Sequence, residues 1–252
     1  MLRMDEGLLN KFNEIERVHW WWEGRRQLLR QLLKGKHPTK ILDVGCGTGE
    51  TLCFLKDLFP KSKLFGVDSS SLAIKYTKQK GHKNITKSLA NKLPFKDNSF
   101  DAILFLDVLE HISNDQVVIT EAKRVLKKNG SIIITSPALN FIWSAHDTDQ
   151  GHKRRYTRTA IRNLSNKTGL KISFISYFNF FLSPPIIFIR LLSNIKSLKY
   201  LSSYDNGLNF EIAKKSFVNS LLRFVFVNEV RLLKFIRYPI GISIGAKLSK
   251  SK

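Results

Sequence analysis

Three glycines at alternate positions, Gly45, Gly47 and Gly49, separate an apolar run, Ile41 to Val44, from a stretch that reads as a helix. Glycine lets the backbone turn tightly and approach a ligand closely. A carboxylate, Asp68, ends the next apolar run 19 residues after Gly49. At a strand tip such a carboxylate can accept two hydroxyls of a ribose. A dinucleotide-binding turn reads G-x-G-x-x-G, but Glu50 holds the last place here. An acid at that point repels a pyrophosphate. It suits a nucleoside ligand with an amino-acid part and no phosphate. Cys46, between two turn glycines, needs only to be small and buried.

A second dense cluster is His146 to Arg158, HDTDQGHKRRYTR. His146, Asp147 and His152 bring imidazole and carboxylate together, with Tyr156 close behind, so one of these histidines is expected to act as general base. A solvated polar loop has the same composition. The spacing matches no standard metal motif, and the sequence assigns no metal ligands. Arg154 and Arg155 suit a phosphate or carboxylate on a substrate. Glu110-His111 is a third candidate: His111 faces the reacting group as a base, or the pair only orders a helix start.

Alternating strands and helices must position these groups. Strands are expected near Lys40–Val44, Lys63–Val67, Ile85–Lys87, Ala102–Leu106 and Ser131–Thr135. Helices are expected near Thr51–Phe59, Ser70–Lys80 and Asp115–Lys127, the last stopped by Asn129-Gly130. Asp5 to Leu33 reads as one or two helices with a tryptophan cluster. Thr157–Thr168 reads as a helix stopped by Gly169, Lys171–Tyr177 and Ile240–Leu248 as strands. The alternation predicts an α/β fold: a mostly parallel, doubly wound sheet with helices on both faces and ligands at the strands' carboxyl ends.

The run ILDVGCGTGE with Gly66 to Ser69, then LPFKDNSFDAILFLDVLEHI at Leu93 to Ile112 and VLKKNGSIIITSP at Val125 to Pro137, resembles class I S-adenosylmethionine-dependent methyltransferases over about residues 39 to 136. The resemblance implies a Rossmann-like sheet of seven strands, the last two an antiparallel pair at its edge, and S-adenosyl-L-methionine as cofactor. It implies that backbone N–H groups of the glycine turn approach the methionyl end. Asp68, with Ser69 beside it, would hold the ribose, and Asp43 would contact the ammonium or order the turn. Asp107 would line the methionyl pocket. Leu89 and Ala90 replace an acid that often accepts the adenine amino group, so apolar walls and backbone are expected there. ERVHWWWEGRR, Glu16 to Arg26, resembles an N-terminal segment of members tied to cell-surface glycan and lipid synthesis. It implies a helical lid in which Arg25 or Arg26 grips the methionyl carboxylate and a tryptophan such as Trp21 packs on the sulfonium or a substrate ring, though core packing explains the tryptophans equally.

Charge divides the chain. Residues 41–150 carry 14 basic and 12 acidic side chains, and residues 151–252 carry 19 and 3. The cationic end seeks a polyanion, which means nucleic acid or an anionic membrane surface. Between the last two strands lie roughly 60 residues that must carry structure of their own. They hold two apolar runs, Phe178–Ile189, where Pro184-Pro185 is expected to break any helix, and Phe217–Val227. Neither run spans a bilayer, which takes ~20 residues, and both suit an interface among basic residues. The organisation expected is a lid over 1–38, a cofactor-binding core over 39–177, an apolar and basic insert over 178–239, and a last strand and tail over 240–252.

With two cysteines and no apolar stretch of signal-peptide length at its start, the chain is expected to be cytoplasmic and peripheral to the membrane. The expected function is methylation of a small or lipid-linked acceptor, on oxygen first and carbon or nitrogen next. Methylation of RNA is the alternative, disfavoured because the aromatics sit in apolar runs instead of on a basic face. A non-catalytic, membrane-tethered cofactor sensor is the third reading. An apolar surface that pairs subunits reads like one that meets lipid, so the oligomeric state stays open.

Overall fold

The computed structural model of the protein describes residues 6–193, 211–213 and 216–250. Asp5, the final two residues and much of the expected insert lie outside the described residues. The elements are α1 (Glu6–Ile15), α2 (Trp20–Leu33), β1 (Lys40–Val44), α3 (Glu50–Leu58), β2 (Lys63–Asp68), α4 (Ser71–Gln79), β3 (Ile85–Lys87), β4 (Phe100–Leu106), α5 (Asp115–Val125) and β5 (Leu126–Pro137), then α6 (Ala145–Asp149), α7 (Arg158–Thr168), β6 (Lys171–Phe178), α8 (Ser183–Ser193), α9 (Ser216–Leu232) and β7 (Ser243–Ser249).

The seven strands form one sheet in the order β3-β2-β1-β4-β5-β7-β6. β1 to β5 are parallel, and β7 lies antiparallel between β5 and β6. The central strands are mainly apolar, with the buried Asp43 as the exception in β1. Ile41 and Leu42, Ile103 to Phe105 and Ile132 to Ile134 are all fully buried. That is the pattern of parallel strands covered on both faces. Strand order reverses between β1 and β4, so a crevice opens at their carboxyl ends, where the glycine turn and Asp107 fall.

Two expectations change. α5 ends at Val125, and Asn129-Gly130 lies within β5. There β4 advances from Phe100 to Ala102 while β5 advances from Leu126 to Ser131. Asn129, at φ 62°, belongs to a bulge that absorbs the extra residues. The turn signal was sound, but it bends a strand instead of stopping a helix. Pro184 and Pro185 do not break a helix either. They occupy the first turn of α8, where a missing N–H costs nothing and the fixed φ favours the helix.

The N-terminal helices are fixed to α9. The Trp20 amide donates to Asn219 Oδ1 at 2.9 Å, and the Asn219 side-chain amide donates to the Val18 carbonyl at 2.8 Å. Gly24 makes the close approach possible, since a Cβ there would lie 2.1 Å from the Phe226 ring. Phe226 is buried and stacks on Trp21 and Phe178. α9 therefore has a core face, Asn219, Phe226, Glu229 and Val230, at helical spacing. Its other face exposes Phe217, Leu221 and Phe224. No described helix is long and apolar enough to cross a membrane.

Candidate active site

The glycine turn is built by conformation. Gly45, Gly47 and Gly49 have φ of 76°, 54° and 89°. A Cβ on Gly45 would lie 2.6 Å from Val108, and one on Gly49 2.9 Å from Thr77. Nothing lies within 4 Å of a Cβ on Gly47, so the turn leaves open space there. The turn does not present a row of free amides. Gly45 and Cys46 donate to the Val67 carbonyl at 2.8 and 3.1 Å, and Gly49 donates to the Cys46 carbonyl at 3.0 Å. Gly47 donates to Asp68 Oδ2 at 3.0 Å, and Ser70 donates to Asp68 Oδ1 at 2.8 Å. Burial raises the Asp68 pKa. Each of its oxygens still has a second lone pair for a hydroxyl.

Beside the turn lies a cavity of about 820 Å³. It falls in the range of small-molecule sites. Asp43, Gly45, Cys46 and Gly47 form its floor, and Asp107, Glu110 and His111 follow from the end of β4. α1 and α2 contribute Phe12, Trp21 and Arg25. Asp43 is buried in β1, and burial pushes its pKa up to about 7 against the opposing field of Arg25. Arg25 is paired with Asp107 at 2.7 Å, so a cofactor carboxylate would have to share or replace that partner. Arg26 faces elsewhere: it donates to the carbonyls of Glu16 and Arg17 and to Glu23. Trp21 lines the cavity while stacking on Phe178, so it is wall and packing at once.

The histidine side has its own frame. Asp147 caps α6 through the Ser144 amide at 3.0 Å. It is fully buried and takes two donors from Arg155, at 2.9 and 2.8 Å, and His152 Nδ1 at 2.9 Å. Although burial alone would raise its pKa, these donors hold the carboxyl well below the usual range. Asp147 thus positions His152 and does not itself reach the cavity. Arg155 touches the cavity edge but spends its donors on Asp147 and the Ala138 carbonyl. His152 and His111 both line the cavity, their ring centroids 4.9 Å apart. Burial and the His152 ring push the His111 pKa down to about 4. His146 lines the cavity from α6, its Nε2 3.0 Å from the Gln150 side-chain nitrogen.

Other expected residues stand apart from this cavity. Tyr156 is buried and donates its hydroxyl to Asp115 at 2.7 Å, and burial raises its pKa further. Arg154 also holds Asp115, at 3.0 Å, and the Ser113 carbonyl. These two fasten the loop to α5 and are not placed to meet a substrate. Gly49, at the start of α3, and Asp68, Ser69, Leu89 and Ala90, at the tips of β2 and β3, lie outside the cavity lining. The Ser88 amide donates to the Asp68 carbonyl at 3.0 Å, which sets Leu89 and Ala90 beside the Asp68 tip. Leu89 is exposed and Ala90 buried.

Two groups escaped the residue patterns. Glu110 is fully buried, and Ser136 donates to its Oε2 at 2.8 Å, but its Oε1 has no partner among the described residues. Asn179, at φ 58°, is buried in the cavity wall, and neither side-chain amide atom has a partner among the described residues. An asparagine directly after a strand was the one local signal for it.

Comparison with known proteins bears on these residues. The family described as a methyltransferase domain matches residues 42–134. A demethylmenaquinone methyltransferase of Thermotoga maritima is 36% identical over 111 residues, 43% of this chain and 48% of that protein. A ubiquinone/menaquinone biosynthesis C-methyltransferase of Desulfotalea psychrophila is 32% identical over 149 residues, 56% of this chain and 61% of that protein. The matches thus span about half to three fifths of these relatives. A solved Thermotoga maritima structure, described as a methyltransferase dependent on S-adenosylmethionine with histamine as its possible substrate, superposes with a TM-score of 0.60. It is 17% identical and covers 98% of this chain and 96% of that one, which shows a common fold.

Proposed function

We propose that this chain is an S-adenosylmethionine-dependent methyltransferase that methylates a small or lipid-linked acceptor, on oxygen, at the membrane surface; the methyltransferase-domain match over residues 42–134 supports the transferase part. The observation that carries this reading is the single cavity that joins the glycine turn and Asp43 to the histidine loop, roofed by the aromatics of α1 and α2. The residues fit the cofactor. Open space lies over Gly47, the spare lone pairs of Asp68 suit ribose hydroxyls, and the buried Asp43 carboxylate suits an ammonium. When bound, the cofactor supplies a methyl group on a positively charged sulfur.

The protein's own contribution is alignment, worth up to ~7–11 kcal/mol, followed by proton removal. Trp21 and Phe12 exclude water from above. Asn179 offers an unpartnered amide to a polar group of the acceptor. His146 takes the acceptor's proton. His111, at a pKa of about 4, is too weak a base at neutral pH, whereas His152, its Nδ1 held by Asp147, keeps Nε2 for the same role and is the second candidate. His146→Ala is expected to lower turnover by ~10²–10⁴-fold with cofactor affinity intact. Steady-state rates and calorimetry read both quantities, and unchanged turnover removes His146 from the mechanism. One relative named for demethylmenaquinone and another named a C-methyltransferase of ubiquinone/menaquinone biosynthesis support a lipid-like acceptor and make carbon the second candidate atom.

The membrane part rests on exposed apolar side chains beside basic ones. Phe217, Phe224 and Phe235 are 80%, 68% and 83% exposed, with Phe181 and Phe188 exposed on and before α8. Arg223, Arg231, Lys234 and Arg237 lie exposed on and after α9. Each basic group near anionic lipid contributes about 1 kcal/mol. The chain should therefore sediment with phosphatidylglycerol vesicles and not with phosphatidylcholine vesicles. The variant Phe217→Ser/Phe224→Ser should release it. Equal partition onto both vesicles, or none onto either, speaks against the membrane reading.

A further inference from the structure

Glu110, His111 and His152 come from two loops that the sequence separates by more than 40 residues. In space they meet. One ligand-type atom of each lies within 4.8 Å of the others. We infer that these three side chains bind a divalent transition-metal cation of the zinc class in the wall of the cavity.

Two of the three ligands are held by neighbours. Asp147 holds His152 Nδ1 at 2.9 Å, which directs the ring's Nε2 lone pair away from that carboxylate. A carboxylate behind a metal-bound imidazole is the usual way to fix its tautomer and raise its basicity. Ser136 fixes one oxygen of Glu110 and leaves Oε1, fully buried, with no partner among the described residues. A buried carboxylate oxygen without a donor costs about 1–3 kcal/mol or more, and a cation removes that cost. Two imidazoles and one carboxylate form the three-ligand set of catalytic zinc sites, in which a further position stays open. Imidazole ligands disfavour magnesium and calcium, which take oxygen.

All three residues line the cavity, so the open position faces the acceptor. An oxygen of the acceptor, a phenolic or enolic hydroxyl, is the group it would take. This second statement rests on the proposed methyl transfer, whereas cation binding does not.

The test uses the full, tag-free chain stripped of metal. Cobalt(II) titration should give a single equivalent with visible bands of a low-coordinate site, and zinc should displace it. Asp147→Asn should weaken cobalt binding about 10–100-fold, and His152→Ala and His111→Ala should weaken it further. S-adenosylhomocysteine affinity, measured by calorimetry on the same samples, should stay unchanged and shows that the variants fold. Absence of a stoichiometric cobalt spectrum in the wild type overturns the site, as does equal cobalt affinity in His111→Ala and His152→Ala. Loss of S-adenosylhomocysteine binding with cobalt binding intact would instead overturn the methyltransferase reading and leave the metal site standing.

Discussion

Replacing Asp68 with alanine is expected to weaken S-adenosylmethionine binding by roughly 10²–10⁴-fold. Two hydrogen bonds from ribose hydroxyls to a carboxylate contribute about 1.5–3 kcal/mol each. The same carboxylate also holds the Gly47 and Ser70 amides, at 3.0 and 2.8 Å, so the turn loses an anchor with the ribose contact. Asp68→Asn keeps one acceptor and should fall between alanine and wild type. Calorimetric titration with S-adenosylhomocysteine reads both. Equal affinity in wild type and alanine variant would remove Asp68 from the cofactor site.

Asp147→Ala is expected to reduce stability by about 3–5 kcal/mol, because it leaves the Arg155 guanidinium buried without its partner. For a chain of this size each kcal/mol moves the melting temperature by about 2–4 °C. The sign with pH follows from the direction of the shift. The folded-state pKa of Asp147 lies below its unfolded value. Its stabilisation is therefore fully present above the unfolded carboxyl pKa of about 3.9 and is lost as pH falls toward the folded value. The melting-temperature gap between wild type and Asp147→Ala should be wide at pH 7 and should narrow below about pH 4. A gap of under a degree at neutral pH would show that Arg155 finds other partners.

The frame of the molecule was readable because its signals are local. Ile41–Val44, broken only by Asp43, and Ile132–Ile134 are short apolar runs, and a buried parallel strand asks for little else. The three glycines reported a backbone with positive φ, and it is there. Their amides have partners within the protein that spacing alone does not reveal: the Val67 carbonyl for Gly45, Asp68 for Gly47 and the Cys46 carbonyl for Gly49. The histidine loop was misread in part for a similar reason. Arg154, Arg155 and Tyr156 look chemical in a row, but their partners are Asp115, Ser113 and the Ala138 carbonyl. Residue type announces a charge or a donor, and only tertiary structure says whether a site or a strut receives it. Glu110 shows the converse. Beside His111 it read as one end of a helix start, until folding buried it with one oxygen unanswered.

Transfer of labelled methyl from S-adenosylmethionine into a fractionated extract of the cells that make this protein tests the central claim most directly, with Asp68→Ala as control. The account predicts label in the organic phase for the wild-type chain and none for the variant. Label in RNA, or organic-phase label that persists in Asp68→Ala, would contradict it.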